Sequence, residues 1–124
     1  MRIFLCGGNT YRLLAGLKAS GCFEKIADYI RHDGVVFGGS AGAILFGADI
    51  DSCACDDNND ADLTDTAGFD VLNGLSLLCH YTNRSVEKDR QSTEYLLALS
   101  KQRAILALPE ENPICINGAE IEVI

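Results

Sequence analysis

The sequence predicts an α/β fold, a sheet whose strands are joined by crossover helices. Short apolar or β-branched runs alternate with stretches of helical periodicity, as strands and crossover helices do. A length of 124 residues with 48% hydrophobic and 23% charged residues fits one globular domain, 1–124, with a core of ordinary size. No internal repeat interrupts the alternation.

Met1 to Cys6 reads as a strand that ends in Gly7-Gly8. Asn9 or Thr10 can cap a following helix, in which Leu13, Leu14 and Leu17 recur at helical spacing until Gly21. Phe23 to Arg31 is a second helix with Phe23, Ile26, Ala27 and Ile30 on one face, stopped by His32-Asp33-Gly34. Val35-Val36-Phe37 is a strand, and a helix is expected from Ala41 onward. Asp49 to Asp70 is rich in Asp, Asn and Thr and reads as an exposed surface insertion. Its Asp56-Asp57-Asn58-Asn59-Asp60-Ala61-Asp62 echoes the start of a calcium loop. Ala61 and Ala67 stand where the turn glycine and the bidentate glutamate belong, so the stretch reads as a solvated acidic loop. Val71 to Cys79 is an apolar, strand-like run, and Val86 to Ser100 a helix with Tyr95, Leu96 and Leu99 as its apolar face. Ala104 to Leu108 is a buried strand. Ile114 to Ile116 and Ile121 to Ile124 form a closing hairpin around Asn117-Gly118.

Composition excludes several classes of function. A net charge of -8 argues against nucleic acid as the partner, because phosphate backbones require Lys/Arg stripes. No apolar run is long enough to span a bilayer and the N-terminus has no signal-peptide layout, so a cytoplasmic protein with no membrane partner is expected. The six cysteines, Cys6, Cys22, Cys53, Cys55, Cys79 and Cys115, are then reduced thiols. Cys53-Ala54-Cys55 lacks a second Cys or His pair at zinc spacing, so no metal is expected.

Gly38-Gly39-Ser40-Ala41-Gly42 fits G-x-S-x-G, a sharp strand-to-helix turn that leaves the serine hydroxyl exposed. Such a turn serves either close packing or nucleophilic chemistry. In the second case Ser40 sits at the positive end of a helix, and an oxyanion hole can form from the backbone N–H of Ala41 together with one from Gly7-Gly8-Asn9. A serine needs a base, and the chain has two histidines. His32 is explained as a helix-end or turn residue. His80 closes a strand-like run, on the sheet edge where open α/β sheets build their sites. Glu110, after the strand Ala104 to Leu108, falls on the same edge and either orients His80 or is a plain loop acid.

Read in order, Gly7-Gly8-Asn9-Thr10, Gly39-Ser40-Ala41-Gly42-Ala43, Gly74-Leu75 leading to Cys79-His80-Tyr81, and Leu108-Pro109-Glu110 resemble the peptidase E family of α-aspartyl dipeptidases, relatives of the cyanophycinases. The resemblance covers nearly the whole chain. It implies a parallel sheet flanked by helices, flavodoxin-like and related to class I glutamine amidotransferases, with serine in place of their cysteine. It implies Ser40 as nucleophile, His80 as base and Glu110 as the acidic member. Asp51, Asp56 or Asp57 would be the alternative if the acid lies between serine and histidine, as described for other members. It further implies no cofactor and a small peptide substrate with an N-terminal aspartate, bound with help from Asn9 and from Arg84, with Arg90 as the second candidate arginine. In the family the Gly-Gly-Asn segment lies well inside the chain, so the family's N-terminal strands are lacking here. The strand Ile3 to Cys6 is then an unpaired edge that a homodimer or other homo-oligomer is expected to cover. Two other functions compete with a peptidase: a non-catalytic ligand-binding or assembly module on the same fold, and an ordinary α/β-hydrolase esterase. The esterase fits worse, since that class needs a longer chain and an acid between serine and histidine.

Overall fold

The computed structural model describes residues 1–82, 85–118 and 120–124. Strand β1 (Ile3–Leu5) pairs in parallel with β2 (Val36–Gly38), in the register Ile3 to Val36, Phe4 to Phe37 and Leu5 to Gly38. Alternation along a strand sends Leu5 into the core and leaves Phe4 and Phe37 outside, stacked with ring centroids 5.1 Å apart. Two helices form the crossover between these strands, α1 (Thr10–Ala19) and α2 (Cys22–Arg31). Asn9 caps α1, its side-chain oxygen accepting from the Arg12 N–H, and Leu14 on the inner face is fully buried. Burial of that one leucine contributes roughly 2 kcal/mol.

A second parallel ladder joins β3 (Ser76–Leu78) to β4 (Ile105–Ala107) across helix α4 (Val86–Leu99). Ser85 caps α4 by accepting from the Lys88 N–H, and Leu96 and Leu99 face inward as the periodicity predicts. A short helix, α3 (Ala41–Ile44), links the two ladders. Beyond it the Ala48 N–H donates to the Leu75 carbonyl at 2.9 Å. The chain closes with the antiparallel hairpin β5 (Ile114–Asn117) and β6 (Glu120–Val123), as expected from Asn117-Gly118. One core gathers Leu5, Tyr11, Leu14, Ile26, Ile44, Leu45, Ile50, Cys53, Leu78 and Leu96. Among the described residues no helix is long and apolar enough to cross a membrane.

Four expectations are corrected. The stretch from Asp49 to Asp70 is solvated only in part, chiefly over 58–67. It opens with a 3-10 helix, Ile50–Cys55, that buries Ile50, Ser52 and Cys53, with the Ser52 hydroxyl donating to the Leu77 carbonyl at 2.5 Å. The run from Val71 to Cys79 is strand only over Ser76–Leu78, because the Asp70 carboxylate accepts from the Gly74 N–H and holds a turn before it. Strand β4 is half-buried rather than buried, because β3 is its only strand neighbour among the described residues. The helix after Ser40 runs for four residues and then unwinds into turns, so it supplies backbone N–H groups but no long helix dipole.

Candidate active site

Both parallel ladders end at the same edge of the molecule. The first ladder continues one step past its strands, where the Gly39 N–H donates to the Leu5 carbonyl at 2.9 Å, and the chain then turns sharply at Ser40. The turn is that tight because Gly42 packs against the backbone of β1, where a Cβ would collide with the Leu5 carbonyl. Ser40 adopts φ 55 and ψ -116, a conformation side chains disfavour and a known mark of functional turns. The second ladder ends at His80, also at positive φ (60). Past β4, the Leu108 N–H donates to the Leu78 carbonyl and the Tyr81 N–H to the Leu108 carbonyl, which sets Glu110 beside His80.

These placements bring three predicted residues into one hydrogen-bonded chain. Ser40 Oγ lies 2.9 Å from His80 Nε2, and His80 Nδ1 lies 2.8 Å from Glu110 Oε1. With Nδ1–H donating to the carboxylate, Nε2 is left with a free lone pair that faces the serine hydroxyl. The serine end is sheltered and the other end is open, with the side chains of His80 and Glu110 45% and 56% exposed. Behind the serine, the Cys79 thiol donates to the Ser40 carbonyl at 3.6 Å, and burial pushes its pKa up to about 11, so it stays neutral.

The glycine turn borders the nucleophile. A Cβ on Gly7 would stand 3.3 Å from Ser40 Cβ and 3.6 Å from its Oγ, and Gly8 holds φ 127, open to glycine alone. Among the described residues no hydrogen bond occupies the N–H groups of Gly7, Gly8 or Ala41. Asn9 is engaged in the fold, as its Oδ1 accepts from Arg12 while its Nδ2 donates to the Asn58 carbonyl at 2.9 Å.

The remaining candidates that the structure describes make other contacts. Asp51 pairs with Arg103 at 3.0 Å, and burial raises its pKa. The Asp56 N–H bonds back to the Cys53 carbonyl, and the Asp57 carboxylate accepts from Thr10. Arg90 is held on α4 between Glu87 and Glu94, whose carboxylates lie 2.5 and 2.6 Å from it. Arg84 lies outside the described residues. His32 sits at the end of α2, its Nδ1 2.8 Å from the Asp28 carbonyl oxygen, as a helix-end residue would. The Cys53 thiol is buried, and burial pushes its pKa up to about 12.

The chain is 31% identical over 122 residues to peptidase E from Escherichia coli O1:K1 / APEC, covering 93% of this chain and 51% of that protein. It is 30% identical over 125 residues to peptidase E from Salmonella newport (strain SL254), covering 95% and 52%. It thus spans about half the length of the curated relatives it matches. Among solved structures, a peptidase E-like protein from Listeria monocytogenes EGD-e superposes with a TM-score of 0.80 at 27% identity, over 98% of this chain and 58% of that one. That likeness agrees with the α/β, flavodoxin-like class expected from the sequence. A model of peptidase family S51 matches residues 2–124, taking in both ladders and the turn that carries Ser40, and the chain therefore belongs to that family.

Proposed function

We propose that the chain acts as a serine peptidase on small peptides, with Ser40 as nucleophile, His80 as general base and Glu110 as the group that orients His80. The observation that carries this reading is the unbroken chain from Ser40 Oγ through His80 to Glu110, with both links under 3 Å. In the first step Ser40 Oγ attacks the scissile carbonyl carbon while Nε2 takes the hydroxyl proton. The carbonyl oxygen becomes an oxyanion facing the N–H groups of Ala41 and of Gly7 or Gly8. The imidazolium, stabilised by the Glu110 carboxylate, then protonates the leaving amine as the C–N bond breaks. Water, deprotonated by the same nitrogen, attacks the acyl carbon; the C–Oγ bond then breaks, the imidazolium returns its proton to Oγ, and the acid is freed. The cycle requires neither metal nor organic cofactor.

The substrate reading is narrower: a dipeptide with an N-terminal aspartate, its side-chain carboxylate bound by a guanidinium, for which Arg84 is the candidate by its place just past His80. Arg90 is already neutralised by two glutamates and is the weaker choice. Activity in the cytoplasm suits a chain with six free thiols. We also propose self-association: Phe4 and Phe37 stack in the open, 71% and 46% exposed, on a ladder whose outer edge has no strand partner among the described residues. A second copy would cover that face. Light scattering over a dilution series checks it, and a monomer at all concentrations ends the idea.

The catalytic reading is tested with a dipeptide panel that includes Asp-Xaa substrates, followed by mass spectrometry, on wild type beside Ser40→Ala. Release of amino acids by wild type alone supports it, and the panel then names the residue preferred before the cut. Two folded but inactive proteins would transfer the fold to the binding-module reading.

A further inference from the structure

We infer that Asp57 is a positioning residue, the clamp that holds the glycine turn Gly7-Gly8 in place beside Ser40; the inference rests on the peptidase reading above. A turn made of two glycines has no side chains with which to anchor itself. Its position is therefore set by what fixes its two flanks. On one side it follows β1. On the other it enters α1, and there both donors of Thr10 converge on one carboxylate oxygen. The Thr10 N–H donates to Asp57 Oδ2 at 2.9 Å and the Thr10 hydroxyl to the same atom at 2.6 Å.

Thr10 is fully buried, so its hydroxyl has no water to fall back on, and without the carboxylate it keeps only the Cys53 sulfur, a weak acceptor. The carboxylate also meets the N-terminal end of a ten-residue helix, where a negative charge is favourable. A third bond joins the same two segments, Asn9 Nδ2 to the Asn58 carbonyl at 2.9 Å.

The clamp is itself anchored. The N–H groups of Asp56 and Asp57 both donate to the Cys53 carbonyl at 2.8 Å, and Cys53 lies in the core with Ile50. Rigidity thus runs from the core through the 3-10 helix to Asp57, then to Thr10, and so to the glycines. The acidic stretch whose pattern echoes a cation loop is, at Asp57, a strut for the neighbouring turn. Asp60, three positions on, makes only an exposed pair with Arg12 at 3.2 Å and serves as a control.

The test compares wild type with Asp57→Ala, Asp57→Asn, Thr10→Val and Asp60→Asn. Two readouts are used: the rate at which a fluorophosphonate probe modifies Ser40, and kcat and KM on whichever dipeptide wild type cleaves. A displaced oxyanion donor affects the transition state more than the bound substrate, so Asp57→Ala is expected to lower kcat and the labelling rate by about 10- to 100-fold with KM little changed. Asp57→Asn, which keeps one acceptor oxygen, should recover part of the loss, Thr10→Val should share it, and Asp60→Asn should match wild type. If Asp57→Ala does not fold, as circular dichroism would show, Asp57→Asn and Thr10→Val carry the comparison. Unchanged kcat and labelling in the folded variants, or a loss confined to KM, overturns the clamp. A wild type that neither labels nor cleaves overturns the peptidase reading itself.

Discussion

The serine half of the candidate site and its histidine-glutamate half are built in opposite ways. Ser40 is placed by backbone packing, with Gly42 pressed on the Leu5 carbonyl, Gly7 facing Ser40 Cβ and the serine itself at positive φ. His80 and Glu110 stand past the ends of β3 and β4, roughly half exposed, and are joined to each other and to Ser40 through side-chain hydrogen bonds. In the first half, position and fold are one property, and a change to the site is a change to the core. In the second, chemistry can be removed while the fold stays.

The largest expected effect tests that separation on the open side. His80→Asn removes the base, yet asparagine tolerates the left-handed backbone at this position. Dipeptide turnover should fall by about six orders of magnitude, as loss of such a base does elsewhere. The melting temperature should stay within a few degrees, since the side chain is 45% exposed. Glu110→Gln should cost less, about 10²-fold, because solvent shares the screening of a carboxylate 56% exposed. A large drop in stability from either variant would erase the contrast.

On the packed side the order reverses. Gly42→Ala adds one methyl group against backbone that cannot rotate away, and is expected to cost about 3 kcal/mol or more in urea unfolding. A stable, fully folded Gly42→Ala protein would show that the first ladder yields more readily than its packing implies.

The same contrast explains which features were legible in the sequence. Periodicity and caps show through wherever one face of an element is apolar, so α1, α2 and α4 follow from Leu14, Ile26 and Leu96 with their neighbours. The edge location of Ser40, His80 and Glu110 follows from the strands that precede them. The region 49–70 was opaque because its inward groups are few and partly polar. Ser52 is buried through a bond to the Leu77 carbonyl, and the inward apolar residues Ile50, Cys53, Leu63 and Phe69 are spaced too irregularly among the acids to show a period. The turn at Asp70 to Gly74 did carry its mark in Asp70, Asn73 and Gly74, all at positive φ, but the valine and leucine between them read as strand. The bonds from Thr10 to Asp57 span 47 positions, a separation that no local pattern encodes.

The smallest effect is the one that most sharpens the comparison. At φ 55 and ψ -116 Ser40 occupies backbone space that glycine enters freely and that costs another residue about 1–3 kcal/mol. Ser40→Gly relieves that strain and loses the 2.9 Å contact with His80, a half-exposed hydrogen bond whose net contribution to stability is about 1 kcal/mol or less. The extra chain entropy of glycine in the unfolded state offsets a further part of the gain. The net expectation is a protein stabilised by up to about 1 kcal/mol in urea and devoid of turnover, whereas Ser40→Ala keeps the strain and gains nothing. If instead Ser40→Gly proves less stable than Ser40→Ala, the turn is not strained in solution, and the serine is held by its neighbours rather than against its own backbone preference.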